Sequence, residues 1–102
     1  MAELEWSETA PKRMTWEDAK KWCEARDDGW RMPTIKELIS IVNFDKYDPA
    51  CDLPNTQSGY YWSSSTYQFN PSIAWIVNFN VGYVNIDPKT VLDYVRAVRG
   101  GS

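Results

Sequence analysis

Side chains able to do chemistry are scarce in this sequence. The only thiols are Cys23 and Cys51, and there is no histidine. A structural zinc ion takes four nitrogen or sulfur ligands, so the usual site cannot be built. Without histidine, no Ser-His or Cys-His pair can activate a nucleophile. Cys23 falls on the apolar stripe of an expected helix and Cys51 in a loop, and no basic group is spaced to lower either thiol's pKa. The 14 acidic residues could supply a carboxylate pair for glycoside hydrolysis, but none is singled out by its surroundings. Asp45, Asp48 and Asp52 form the only cluster with a calcium-like look. The adjoining Asp48-Pro49 and Leu53-Pro54-Asn55 turn signals make them caps of a turn-rich loop instead. No catalytic residue, metal or cofactor is expected, and the chain reads as a non-enzyme.

Arginine carries the remaining polar chemistry. Arg31 lies between Trp30 and Met32 in a segment expected to be largely buried, so its charge needs a partner such as Glu37. Arg96 and Arg99 invite an anion-site reading, but ion pairing along a strand face is the commoner outcome. A net charge of -3 and a pI near 4.8 argue against nucleic acid as a partner, since phosphate binders cluster Lys and Arg.

Binding chemistry is better represented. Six Trp, six Tyr and three Phe supply large rigid side chains that fill cores and dominate contact energies. Strand alternation along Ile73 to Asn80 sends Trp75, Val77 and Phe79 one way and Ile76, Asn78 and Asn80 the other. With its neighbours, the second set predicts a mixed aromatic, aliphatic and amide surface of Tyr67, Phe69, Asn70, Ile73, Ile76, Asn80, Tyr83, Asn85, Asp87 and Leu92. Tyr gives contact area at low entropic cost, and Asn gives adaptable hydrogen bonds. A protein or surface-glycan ligand suits such a surface. The competing reading is that several of these are core aromatics of a small β-rich domain.

The elements that must position this surface can be read from capping and periodicity. Thr15-Trp16-Glu17-Asp18 opens a helix to about Asp27, with Trp16, Ala19 and Cys23 on its buried face. Thr34-Ile35-Lys36-Glu37 is a full capping box, and Ile35, Leu38, Ile39 and Val42 give a stripe ending near Asn43. An ordered loop spans Asp45 to Gly59. Four β segments follow, at Tyr60 to Ser64, Ile73 to Asn80, Gly82 to Ile86 and Leu92 to Arg99. The expected fold class is α+β, two helices followed by a short-stranded antiparallel β meander, in a single domain over 1–102 with a flexible tail at 99–102. There is no apolar run near the ~20 residues of a membrane span, and residues 1 to 15 show no export-signal pattern.

The series Met14-Thr15-Trp16-Glu17-Asp18-Ala19, Trp30-Arg31-Met32-Pro33-Thr34, Tyr61-Trp62-Ser63-Ser64, Ala74-Trp75 and Val95-Arg96-Ala97-Val98-Arg99 resembles the Lcl C-terminal domain family of bacterial and phage surface proteins. The resemblance implies a C-type-lectin-like fold, a ligand-binding or adhesin role, and a place on a cell surface or virion. Calcium-dependent lectins of that fold carry Glu-Pro-Asn or Gln-Pro-Asp and a later Trp-Asn-Asp, which are absent here. Formylglycine-generating enzymes share the fold class in a larger chain but act through cysteines unlike these two. Family members often pair the first-helix cysteine with one where this chain has Ala97, so Cys23 is either a plain buried thiol or a partner of Cys51. The ending Tyr94 to Gly101 is similar to the variable proteins diversified by retroelements, which randomise adenines. An Asn codon randomised in this way reaches every proposed surface residue but never Gln, Lys or Trp. Gln68, Trp75 and Lys89 are then scaffold, with Trp75 buried. Alternatives are an undiversified adhesin binding glycans and an assembly module.

Overall fold

The computed structural model describes residues 3–100. Both expected helices start at their threonines. The Thr15 hydroxyl accepts the Asp18 N–H at 3.4 Å and starts α1, Trp16–Glu24. At Thr34 the capping box is complete, with Glu37 N–H donating to the Thr34 hydroxyl at 3.2 Å and Thr34 N–H to the Glu37 carboxylate at 2.8 Å, and α2 runs Ile35–Ser40. Both helices stop earlier than periodicity suggests. Arg26 N–H bonds back three residues to Cys23, and Val42 N–H to Ile39, a tighter winding that ends a helix. Beyond α1, Asp28 and Gly29 take φ of 72° and 83°, which turns the chain away.

Five strands form two sheets rather than one meander. β2 (Tyr60–Thr66), β3 (Ile73–Asn78) and β4 (Tyr83–Pro88) are antiparallel neighbours in that order. The last strand, β5 (Arg96–Gly100), pairs instead with β1 (Leu4–Thr9), which the sequence reading leaves unassigned. β1 carries only Leu4 and Trp6 as apolar residues, so its alternation is faint. Ser7 is the buried residue of β1, its hydroxyl accepting the Ala97 N–H at 2.8 Å. Arg99 and Gly100 are paired strand residues rather than a tail, opposite Glu5 and Leu4; residues 101 and 102 lie outside the described residues. The two sheets are joined where Tyr94 bridges Tyr61 in parallel, Tyr94 N–H donating to Tyr60 and Trp62 N–H to Tyr94.

Two apolar clusters sandwich the three-stranded sheet. Trp16, Ala19 and Cys23 of α1 pack with Trp62, Ala74, Ile76, Val95 and Ala97. On the other face, Leu38 of α2 packs with Cys51, Tyr61, Val77 and Phe79. β3 is the central strand and is covered on both sides at its far end, so Ile76 is fully buried and cannot belong to a binding surface. Alternation correctly separates Ile76 from Val77, but it does not report that both faces are covered. Trp75 shares the face of Val77 yet is only half-buried, because it lies toward the Ile73 end of the strand, away from the cluster under α2.

Polar side chains tie the loops to this frame. Arg31 and Glu37 form the expected ion pair, bidentate at 2.7 Å for both bonds, although Arg31 is half-exposed. Arg96 is neither an anion site nor a strand-face ion pair. It is 3% exposed and donates to the Ser7 carbonyl (2.9 Å), the Thr56 hydroxyl (2.8 Å) and the Pro54 carbonyl (2.9 Å), holding the long loop against β1. Arg99 reaches Glu5 at 3.2 Å. Its guanidinium covers one side of the Trp30 contact set at 4.7 Å, where Arg26 lies at 4.9 Å from the same ring and 5.3 Å from Trp22. Both cysteines are free and buried, one in each cluster, so the plain-thiol reading holds.

Candidate ligand-binding surface

The β3–β4 hairpin carries most of the predicted surface residues, and β4 is its edge. Cross-strand register decides which residues share a face, because directly paired residues point the same way. Tyr60, Asn78 and Tyr83 form one rung, Trp62, Ile76 and Asn85 the next, and Thr66, Ala74 and Asp87 a third. Tyr83, Asn85 and Asp87 therefore share a face, joined by Tyr60, which the sequence reading missed. Tyr60 and Tyr83 are exposed, and the neighbouring Tyr83 hydroxyl, foremost, raises the Tyr60 pKa. Asp93 is a buried carboxyl pushed up to about 8, first by burial and then by the neighbouring Asp87 carboxyl.

Tyr67, Phe69 and Ile73 lie elsewhere. Tyr67 meets Phe69 edge-on at 5.5 Å and Trp75 at 5.4 Å, and Trp75 belongs to the opposite face of β3 from Ile76. Phe69 stands 76% exposed. Asn70 is exposed but spends its side-chain oxygen on the Ser72 N–H (3.0 Å) and hydroxyl (2.7 Å), a turn-capping role. Asn80 is at the hairpin tip, where its carbonyl accepts the Asp48 N–H at 2.8 Å. Leu92 is exposed on the chain entering the final segment. The predicted residues thus form two faces and a tip around one hairpin, not a single face.

The tip carries residues that sequence reasoning passed over. Phe44 and Tyr47 are 73% and 78% exposed, and Val81 is exposed beside them in sequence with Asn80. An open groove of about 420 Å³ runs along Ser40 to Asp45, Asp52 and Leu53. Two aromatics within the turn-rich run Asn43-Phe44-Asp45-Lys46-Tyr47-Asp48 were the available signal, since turn chemistry asks for neither. Gly82 is needed here: its φ is +85°, and a Cβ would lie 2.9 Å from the Val42 side chain and 3.3 Å from Ala50.

Reactive groups are muted. Burial pushes the Cys23 thiol up to about 12, which keeps it protonated. Lys46 and Asn43 hydrogen-bond the Asp52 carboxylate and lower its pKa, the use expected of a loop-capping acid. Among the described residues, no group of three or more acids and cysteines is placed to hold a metal, and no helix is long and apolar enough to cross a membrane. Lys89, expected to be scaffold, is pinned: its ammonium sits 4.0 Å over the Trp16 ring and donates to the Thr66 hydroxyl at 3.1 Å. Gln68 is exposed and nothing in the structure explains it. Residues 1–99 match the family model of the Lcl C-terminal domain, and no curated protein matches the chain.

Proposed function

This chain belongs to the Lcl C-terminal domain family, and from that premise we propose that it is a non-enzymatic ligand-binding domain of an adhesin-like surface protein, with a C-type-lectin-like fold, that recognises a protein or surface glycan through the β3–β4 hairpin. The observation that carries the reading is the set of large side chains held exposed around that hairpin, Phe69, Tyr83, Val81 and Phe44, on a domain whose core is otherwise filled. Exposed aromatics on a rigid frame give contact energy without ordering cost. Pairing of the first and last strands and a long ordered loop support the lectin-like fold.

Retroelement diversification is the finer form of this proposal. Exposure of Phe69, Asn70, Asn80, Tyr83, Asn85 and Leu92 supports it, as does the scaffold role of Lys89. Ile76 is excluded from the variable set by its burial. A near-identical downstream copy of the 3′ end beside a reverse transcriptase gene is the expected genomic finding.

The binding proposal is tested by screening the protein and its Phe69→Ser/Tyr83→Ser variant on immobilised glycans and intact cells. Loss of retention in the variant, with unchanged melting, is the expected result; equal retention of both proteins would defeat it. The exposed Phe44 and Tyr47 also favour a second reading, an assembly module. A concentration-dependent mass in solution that Phe44→Ser abolishes would favour that reading.

A further inference from the structure

One face of the three-stranded sheet is only half covered. Register pairs Ile73 with Pro88, Trp75 with Ile86 and Val77 with Val84, so these side chains share the face on which α2 lies. Leu38 of α2 packs with Val77, which is fully buried, yet Val84 opposite it is 39% exposed. Cover therefore stops between β3 and β4. Ile73, Trp75 and Ile86 are partly exposed, and Tyr67 leans edge-on against Trp75 at 5.4 Å. Tyr67 continues β2, its N–H donating to the Ile73 carbonyl at 2.8 Å, so rings occupy the β2 side of the patch and aliphatic side chains the β4 side. No charged residue occurs from Leu53 to Ile86, and Asp87, paired with Ala74, turns to the other face.

The edge beside this patch is closed to a further strand. Lys89 N–H donates to the Ser72 carbonyl at 2.8 Å, one step beyond the Ile73–Pro88 pair. Odd-numbered residues of β4 therefore turn their backbone groups to β3, and even-numbered ones turn theirs outward. Of the outward set, Pro88 has no N–H, and the Ile86 N–H is taken by the Asn85 side-chain oxygen at 2.8 Å. A partner can cover the patch by its face but cannot extend the sheet.

We propose that this face binds a second copy of the chain, the two patches meeting sheet to sheet about a two-fold axis. Such an axis sets the rings of one copy over the Val84 and Ile86 row of the other, so the patch is its own complement. Charge selects the same arrangement. The chain carries a net charge of -3, and its charged residues lie before Leu53 and after Ile86. Contact elsewhere brings two net-acidic surfaces together, whereas contact between the patches buries no charge. Tyr83 and Asn85 point from the opposite face, so a dimer presents that face twice. The pairing stands whether or not that face takes a ligand.

Sedimentation of the full chain tests this. Its mass should rise from one chain to two with concentration, and added sodium chloride should not weaken the pair, because no ion pair crosses the contact. Val84→Lys places an ammonium within the contact and should weaken association by about tenfold or more, with the melting temperature of the dilute monomer unchanged. Phe44→Ser, at the hairpin tip, should leave the dimer in place. In a mixture of isotope-labelled and unlabelled protein, intermolecular NOEs should join the Trp75 or Tyr67 ring to the Val84 and Ile86 methyls, a measurement that needs no variant. A monomer at every concentration would overturn the proposal. So would a dimer that survives Val84→Lys or is lost in Phe44→Ser, because its contact would then lie at the edge or at the tip.

Discussion

The least replaceable single residue is Arg96. Its three hydrogen bonds end on neutral oxygens of β1 and the 54–56 loop, so the guanidinium is a buried cation held by geometry rather than by a counter-charge. Lysine keeps the charge but not the planar fork. Arg96→Lys should cost about 3 kcal/mol or more, since charge-assisted bonds contribute roughly 1.5–3 kcal/mol each and only one can be re-formed well. Urea denaturation reads this directly, and a loss under about 1 kcal/mol would mean that water replaces the fork. At the thiols, burial predicts inertness: neither Cys23 nor Cys51 should react with a disulfide reagent in the native protein, and both should react in urea. A fast native reaction would show that one of the clusters opens. The Arg31–Glu37 pair was legible because an Arg flanked by Trp and Met needs a carboxylate, and the capping box had placed Glu37 in the first turn of the helix that follows. The role of Arg96 was not legible, because its acceptors are backbone carbonyls, which every residue possesses.

At the level of elements, the second helix depends on its cap. It is one and a half turns long, too short to be stable alone, so the reciprocal Thr34–Glu37 bonds carry a large share of its N-terminus. Thr34→Ala should lower stability by about 1 kcal/mol, visible as a fall in melting temperature. The β3–β4 turn depends on Gly82 in a different way. An alanine there must adopt a left-handed φ and push its Cβ into Val42, so Gly82→Ala should destabilise by about 1–3 kcal/mol and loosen the Phe44 side of the groove. A melting temperature unchanged in Gly82→Ala would show that the hairpin tip is free to shift. Helix starts were readable because caps are local chemistry, whereas helix ends were overestimated because periodicity continues past the point where the backbone tightens.

For the molecule as a whole, the first and last strands form one unit on which the rest closes. Deleting residues 1–9 should remove the cooperative thermal transition, since it strips β5 of its partner and Arg96 of the Ser7 carbonyl. A truncated protein that still melts sharply would mean that β5 can find another edge. The chain's local patterns determined its α+β class, both helix starts, the positions of the later strands, the Arg31–Glu37 pair and the absence of the usual zinc or histidine chemistry. Each of these follows from residues near one another or from composition. Only the tertiary structure decided that β5 pairs with β1, that Ile76 is covered from both sides, that Tyr60 joins Tyr83, and that Asp93 is buried where it bridges Met14. Those outcomes depend on which surfaces of distant segments come together. A strand's alternation fixes the direction in which a side chain points, but whether it meets solvent or protein there is settled by what packs over it.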